Sequence, residues 1–232
     1  MPKKTRPVLV VGDLHCPAML PDYPEFLYRV YSQYNCKDVV FIGDLVDFHC
    51  FSYHERDPDV AVSSELDKAI DQLATLRELF PRASVLMGNH DALIERQAIT
   101  AGLSSRVLRP FSELLELPKQ WIVYPRYHKL ICNGVLYQHG DQGKGGQQAA
   151  LKNAQAEFMS VVQGHHHSQC GVWYHANENK LIYGLQTGCG VDRSHLQMTY
   201  GVKFSAKPII GCGVVVDSVT AYVETMAMGD ES

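Results

Sequence analysis

An α/β fold is predicted, with a largely parallel sheet covered by helices and a second, mixed sheet. Three observations predict it. Three short apolar runs each stop at a glycine followed by an acid or amide, the stretches between them have helical spacing, and the second half of the chain changes to hairpin-like strands. The runs are VLVVGDLH (8–15), DVVFIGDLVD (38–47) and SVLMGNHD (84–91). Short β-branched stretches bounded by glycine suit strands buried on both faces.

The first connection, YPEFLYRVYSQY (23–34), and the second, SSELDKAIDQLATLRELF (63–80), read as helices. In the second, Leu66, Ala69, Ile70, Leu73 and Leu76 share a face, with Ser64 and Asp67 placed like a capping pair. Strand and helix alternation brings successive strands into parallel register, and sites form at their carboxyl ends. Farther on, RYHKLICNGVLYQHG reads as a hairpin turning at Asn133-Gly134, and the segments around 171–187 and 210–225 as further strand pairs. Residues 92–120 hold helical pieces, ALIERQAIT and FSELLEL, expected beside the site as a lid-like insertion. Residues 1–232 are expected to form a single domain.

Composition narrows the function classes. The chain has 46% hydrophobic and 20% charged residues and a formal net charge of −4, with no basic run. Long nucleic acid is therefore not a favoured partner. The apolar run Val8 to Val11 is too short for a membrane span or a signal-peptide core, so a cytoplasmic protein with no membrane partner is expected. Seven cysteines lack any C-x-x-C spacing, which suggests neither a disulfide framework nor a Cys-rich zinc site.

The polar residues at the strand ends suit a metal. In extended backbone, residues i and i+2 point the same way, so Asp13 and His15 can face one ion. The stretch QGHHHSQC (163–170) repeats the relation in His165 and His167, with His166 pointing away. Asp44, Asn89 and His139 stand at other strand ends and complete seven potential ligands. If the Asp44 carboxylate bridges, each of two metals receives four protein ligands. Oxygen and imidazole donors without thiolate suit Mn²⁺ first, with Fe or Zn²⁺ as alternatives, over Ca²⁺ or Cu⁺. Two dications against two ligand carboxylates leave a positive site that attracts phosphate. Such pairs, with ions ~3.5–4 Å apart, clamp in-line phosphoryl displacement, here with a bridging hydroxide as nucleophile.

The ordered blocks GDLH, GDLVD, GNHD, QHGD and GHHH resemble the calcineurin-like metallophosphoesterases. The resemblance implies a two-sheet β-sandwich flanked by helices, in four αββα layers. It places Asp13, His15, Asp44 and His167 on one metal and Asp44, Asn89, His139 and His165 on the other. It makes His90 the cation or general acid beside the leaving group, oriented by Asp47. The Ser/Thr protein phosphatase branch has arginines after the second block and before G-N-H-E; Phe48, Met87 and Asp91 stand here instead. The G-N-H-D form is similar to that of diesterases and nucleases. The expected activity is metal-dependent hydrolysis of a phosphodiester or phosphomonoester, with a repair-exonuclease-like nuclease and a non-catalytic scaffold as alternatives.

Other residues carry weaker expectations. Asp91 is expected to cap the helix starting near Ala92, and Cys16 to fill space. The stretch GDQGKGG (140–146) either cradles phosphate, with Lys144 as a contact, or only turns the chain into the next helix. Arg109 and His54 are the remaining candidates for substrate contact, while His49, His175 and His195 are expected to be structural or exposed.

Overall fold

A computed structural model describes residues 6–53, 61–194 and 205–226. In chain order the elements are β1 (Val8–Val11), α1 (Tyr23–Gln33), β2 (Asp38–Phe41), α2 (Val62–Leu79), β3 (Ala83–Leu86), α3 (Leu93–Thr100), α4 (Phe111–Leu114), β4 (Trp121–Tyr124), β5 (Leu130–Cys132), β6 (Val135–Gln138), α5 (Ala149–Glu157), β7 (Ser160–Gln163), β8 (Cys170–Ala176), β9 (Leu181–Thr187), β10 (Gly211–Val215) and β11 (Ala221–Thr225).

Two sheets form. The first runs β11-β10-β1-β2-β3-β4, and the second β5-β6-β7-β9-β8. β1 to β4 are mutually parallel, as crossover helices require, and so are β6, β7 and β9. The expected hairpin is present: Asn133 and Gly134 both have positive φ, the geometry that matches strand twist in a two-residue turn. The 211–225 strand pair joins the first sheet, antiparallel to β1, instead of extending the second. β10 hydrogen-bonds to the edge of β1 that faces away from β2.

Alternation along each strand sets four layers. Val8, Val10, Val40, Ile42 and Leu86 of the first sheet pack on Val135, Tyr137, Val162, Tyr183 and Leu185 of the second. The opposite face of the first sheet, with Leu9, Val11, Phe41 and Val85, is covered by Leu27 and Val30 of α1 and by Ala69, Leu73 and Leu76 of α2. The outer face of the second sheet meets α5 through Leu136, Val161, Ile182 and Ala154. The fold is therefore a two-sheet mixed sandwich flanked by helices.

The expected Ser64/Asp67 capping pair is absent. Ala61 is the N-cap of α2, without a side-chain cap. The nearby acid Glu65 is turned inward instead, accepting the backbone N–H of His49 at 2.6 Å and of Cys50 at 3.0 Å. It fastens the 3-10 turn His49–Phe51 that follows the second acidic block. No helix among the described residues is long and apolar enough to cross a membrane.

Candidate metal centre

The parallel strands of both sheets end on one side of the sandwich, and the polar residues follow directly. β1 leads to Asp13 and His15, β2 to Asp44, β3 to Asn89 and His90, β6 to His139, and β7 to His165 and His167. The i, i+2 argument does not describe how they converge. His15, Asp44 and His165 have φ of 50°, 48° and 68°, so the chain turns through left-handed geometry at the site instead of continuing extended. Glycines permit the close approach. A side chain at Gly43, itself at φ +115°, would lie 2.3 Å from His139 Nδ1, and one at Gly164 would lie 2.3 Å from Asp13 Oδ1.

Three groups of side chains among the described residues could each hold a metal ion: Asp13 with His15 and His167, Asp44 with His139 and His165, and His15 with Asp47 and His90. His167 Nε2 is 2.9 Å from Asp13 Oδ2, and His139 Nε2 is 3.1 Å from Asn89 Oδ1. Asp44 Oδ2 lies between the first two groups, 3.6 Å from His15 Nε2 and 3.3 Å from His139 Nε2. His166 belongs to none of them; its ring packs edge-on against His165 with centroids 5.0 Å apart.

The donor set fits a cation. His139 Nδ1 donates to Ile42 O at 3.0 Å, and His15 Nδ1 donates to Asp47 Oδ1 at 2.7 Å, so both rings turn Nε2 toward the cluster. His15 Nε2 and Asp13 Oδ1 are buried acceptors with no hydrogen-bond partner. Buried polar atoms are seldom left this way, and two acceptors facing one space call for positive charge. Burial, then His90, lowers the pKa of His15; burial, then His139, lowers that of His165 to about 4, so both rings favour the neutral form that a metal ion could use. Burial opposes ionisation of Asp44, but His139 and the other histidines outweigh it and hold it well below the usual carboxylate range. Asp13 is lowered too, since the His167 hydrogen bond and the His139 charge outweigh its burial.

In the third of these groups, Asp47 links two imidazoles. Its Oδ1 accepts from His15 Nδ1 and stands 3.1 Å from His90 Nδ1, while its carbonyl accepts from His90 Nδ1 at 2.9 Å. Burial disfavours charge on His90, yet Asp44 and Asp47 outweigh it and push it up to about 9. The His90 side chain is 24% exposed whereas that of His15 is sealed at 1%, so of the two imidazoles on Asp47 it is His90 that faces outward.

Asp91 does not cap α3, whose N-cap is Ala92 without a side-chain bond. It is buried and accepts from Val46 N at 3.1 Å and Gly88 N at 2.8 Å, stapling the second acidic block to the third. Lys144 and Arg109 are exposed, and no side-chain hydrogen bond or ion pair ties either to the cluster among the described residues. His54 and His195 lie outside the described residues, and His175 is exposed on β8. His49 Nδ1 stands 3.9 Å from Asp47 Oδ2, nearer the cluster than expected. Cys16 is buried and all seven cysteines are free thiols. The sequence reading missed Glu65, and it missed Gln138, Gln163 and Gln186, although YQHG, VQGH and LQTG each place Gln at a strand end before a glycine turn.

No curated protein matches the chain. Among solved structures, the chain is similar to the phosphoesterase YfcE from E. coli at 15% identity, covering 90% of this chain and 87% of that one, with a TM-score of 0.45. It is similar to vacuolar protein sorting 29 from Cryptosporidium parvum at 14% identity, covering 97% and 98%, with a TM-score of 0.48. It is also similar to Vps29 from Chaetomium thermophilum at 12% identity, covering 95% and 97%, with a TM-score of 0.46. The family model for calcineurin-like phosphoesterases matches residues 6–193, a span containing every block of the site, and the chain belongs to that family.

Proposed function

We propose that the protein is a dinuclear metal-dependent phosphohydrolase that cleaves a phosphodiester, or a phosphomonoester. One observation carries this reading: a single oxygen, Asp44 Oδ2, stands between an imidazole nitrogen of each of the first two groups, His15 Nε2 at 3.6 Å and His139 Nε2 at 3.3 Å. A carboxylate so placed is suited to be shared by two cations. Asp13, His15, Asp44 and His167 would hold one, and Asp44, Asn89, His139 and His165 the other. Mn²⁺ suits these donors first, with Fe or Zn²⁺ next. When bound, the pair supplies Lewis-acid stabilisation of the phosphoryl oxygens and an acidified water for in-line displacement.

The chain's own groups do the rest. The Asp13 and Asp44 carboxylates are fixed by N–H donation from His165 at 2.8 Å and from His90 at 2.8 Å, so they need little reorganisation on binding. Asp47 holds the His90 ring by Nδ1 and leaves Nε2 free to give a proton to the leaving oxygen, with the charged form favoured at neutral pH. Burial of the carboxylates on the first sheet keeps water from shielding them. The substrate is a phosphate ester small enough to enter without a basic tracking surface, and the protein works in the cytoplasm.

The experiment is a Mn²⁺-supplemented panel of aryl phosphate, bis-aryl phosphate, cyclic nucleotides and short oligonucleotides, with metal content measured on the same sample. Turnover of the bis-aryl ester above the others, at about two metals per chain, is the expected result. Fewer than one metal per chain after reconstitution, with no turnover, would sink the reading.

A further inference from the structure

β6, β7 and β9 are neighbouring parallel strands, and Gln138, Gln163 and Gln186 occupy paired register positions at their carboxyl ends. All three are buried, on the face covered by α5, and their carboxamides form a ladder. Gln138 Nε2 donates to Gln163 Oε1 at 3.3 Å, Gln163 Nε2 donates to Gln186 Oε1 at 3.2 Å, and Gln186 Nε2 donates to the carbonyl of Gly164. Asn153, buried on α5, adds a branch: its Nδ2 donates to Gln163 Oε1 at 2.8 Å and to Lys144 O at 3.2 Å, and its Oδ1 accepts from Lys144 N at 2.7 Å.

The orientation of every amide is forced from one end. The Gly164 carbonyl can only accept, so Gln186 must offer it the NH₂ and turn its oxygen to Gln163. Gln163 must then offer its own NH₂ and leave its oxygen for Gln138 and Asn153. Asn153, having given its NH₂, has its oxygen left for the Lys144 N–H. Reversing any one amide opposes like atoms along the whole chain, in a dry interior where an unpaired polar group is costly.

The two ends of this chain are places of consequence. Gly164 immediately precedes His165, and its N–H donates to His139 O at 2.9 Å. Lys144 sits in the glycine-rich loop at the mouth of the second sheet. A second tie joins the same two segments: Gln169 Nε2 donates to Gly146 O at 3.1 Å, and Gln148 N donates to Gln169 Oε1 at 2.9 Å. Resting on the dinuclear reading above, we infer that the buried carboxamides of Gln163, Gln186 and Asn153 are positioning residues. They lock the histidine turn 164–169 and the glycine loop 143–148 into one unit, so that metal affinity at the turn depends on the loop being fastened. Substrate phosphate meeting Lys144 would then meet a loop already held in register with the metal ligands.

The test compares the full chain with Gln186→Met and Asn153→Ala, stripped with EDTA and titrated with Mn²⁺ alone. Calorimetry should show Mn²⁺ affinity lower by about 10- to 100-fold in both variants, the usual effect of losing a partner behind a ligand. The rise in Tm on adding Mn²⁺ should shrink in both. Amide exchange of the EDTA-treated chains, read by mass spectrometry, should quicken over 143–148 and 164–169 together, although each substitution removes contacts to only one of the two segments. The inference is overturned if Asn153→Ala loosens 143–148 alone and binds Mn²⁺ as the parent does. It is overturned equally if Tm falls by the same amount with and without Mn²⁺, since the network would then be merely structural. Should Gln186→Met not fold, Asn153→Ala decides alone, because its loop partner is exposed. If the parent chain takes up no Mn²⁺, the dinuclear reading fails, and the exchange pattern still decides the linkage.

Discussion

The two sheets deliver their site residues to the same place but fasten them with different chemistry. Behind the first sheet's strand ends the fasteners are buried carboxylates: Asp47 holds His15 and His90, Asp91 staples Val46 to Gly88, and Glu65 holds His49 and Cys50. Behind the second sheet's ends they are neutral carboxamides. Carboxylates only accept, so they suit loops whose backbone N–H groups point inward, and Asp47, whose burial opposes charge but which His15 and His90 hold low, adds negative charge beside the histidines. Carboxamides both donate and accept, so they can be chained, and they leave the field at the imidazoles unaltered. The first sheet thus gathers charge behind its strand ends, and the second carries a neutral network behind His139, His165 and His167.

The largest effect should come where the halves meet. Asp44→Asn removes the shared charge and is expected to abolish turnover and to release at least one metal, measured by kinetics and elemental analysis; near-normal rates would remove the bridge. Next, His90→Asn should keep both metals and slow turnover by about 10²–10⁴-fold, the usual contribution of a general acid. An unchanged rate on an ester with a poor leaving group would count against the role. The contrast between fasteners is sharpened by Asp91→Asn and Gln163→Glu. The first presents an NH₂ to one of two backbone N–H donors, and the second sets a carboxylate against the Gln186 oxygen. Each should cost about 1–3 kcal/mol in urea unfolding, the penalty of an unsatisfied buried group. Neutral behaviour in both would break the distinction. The smallest effects belong to the exposed charges: Lys144→Ala and Arg109→Ala should raise KM for a bis-aryl phosphate by no more than about fivefold, in line with ~1 kcal/mol for a solvated charge.

The residues that were legible in the sequence are those whose chemistry is local. Gly-Asp and Gly-Asn at the end of an apolar run announce a buried strand and a polar terminus together, which is why β1 to β3 and their acids could be read directly. The helical face Ala69, Leu73 and Leu76 was readable for the same reason. What could not be read is the partner of a polar side chain far off in the chain. Asp91 looks like a helix cap because Asp before a helix often is one, yet Val46 and Gly88 claim its oxygens. Ser64 and Asp67 have the right spacing to cap α2, but the buried acid beside them is Glu65. The i, i+2 rule paired the histidines for the wrong reason, since backbone at positive φ re-aims His15 and His165. The glutamine ladder left a trace, a Gln at three strand ends, whose meaning depends on register that no single segment contains.

β10 lies against β1 and continues its line of contact through bridges from Cys189 to Asp13 and to Ile210, while the Tyr23 hydroxyl donates to Gly211 O at 2.6 Å. During ribosomal synthesis the strand leading to Asp13 and His15 therefore emerges well before β10, and one flank stays bare until residues beyond 210 are released. Closing so long a loop is slow, and an unpaired strand is sticky while it waits. The nascent chain should thus depend on β10 arriving in time, and translation products that stop short of it should aggregate through this flank.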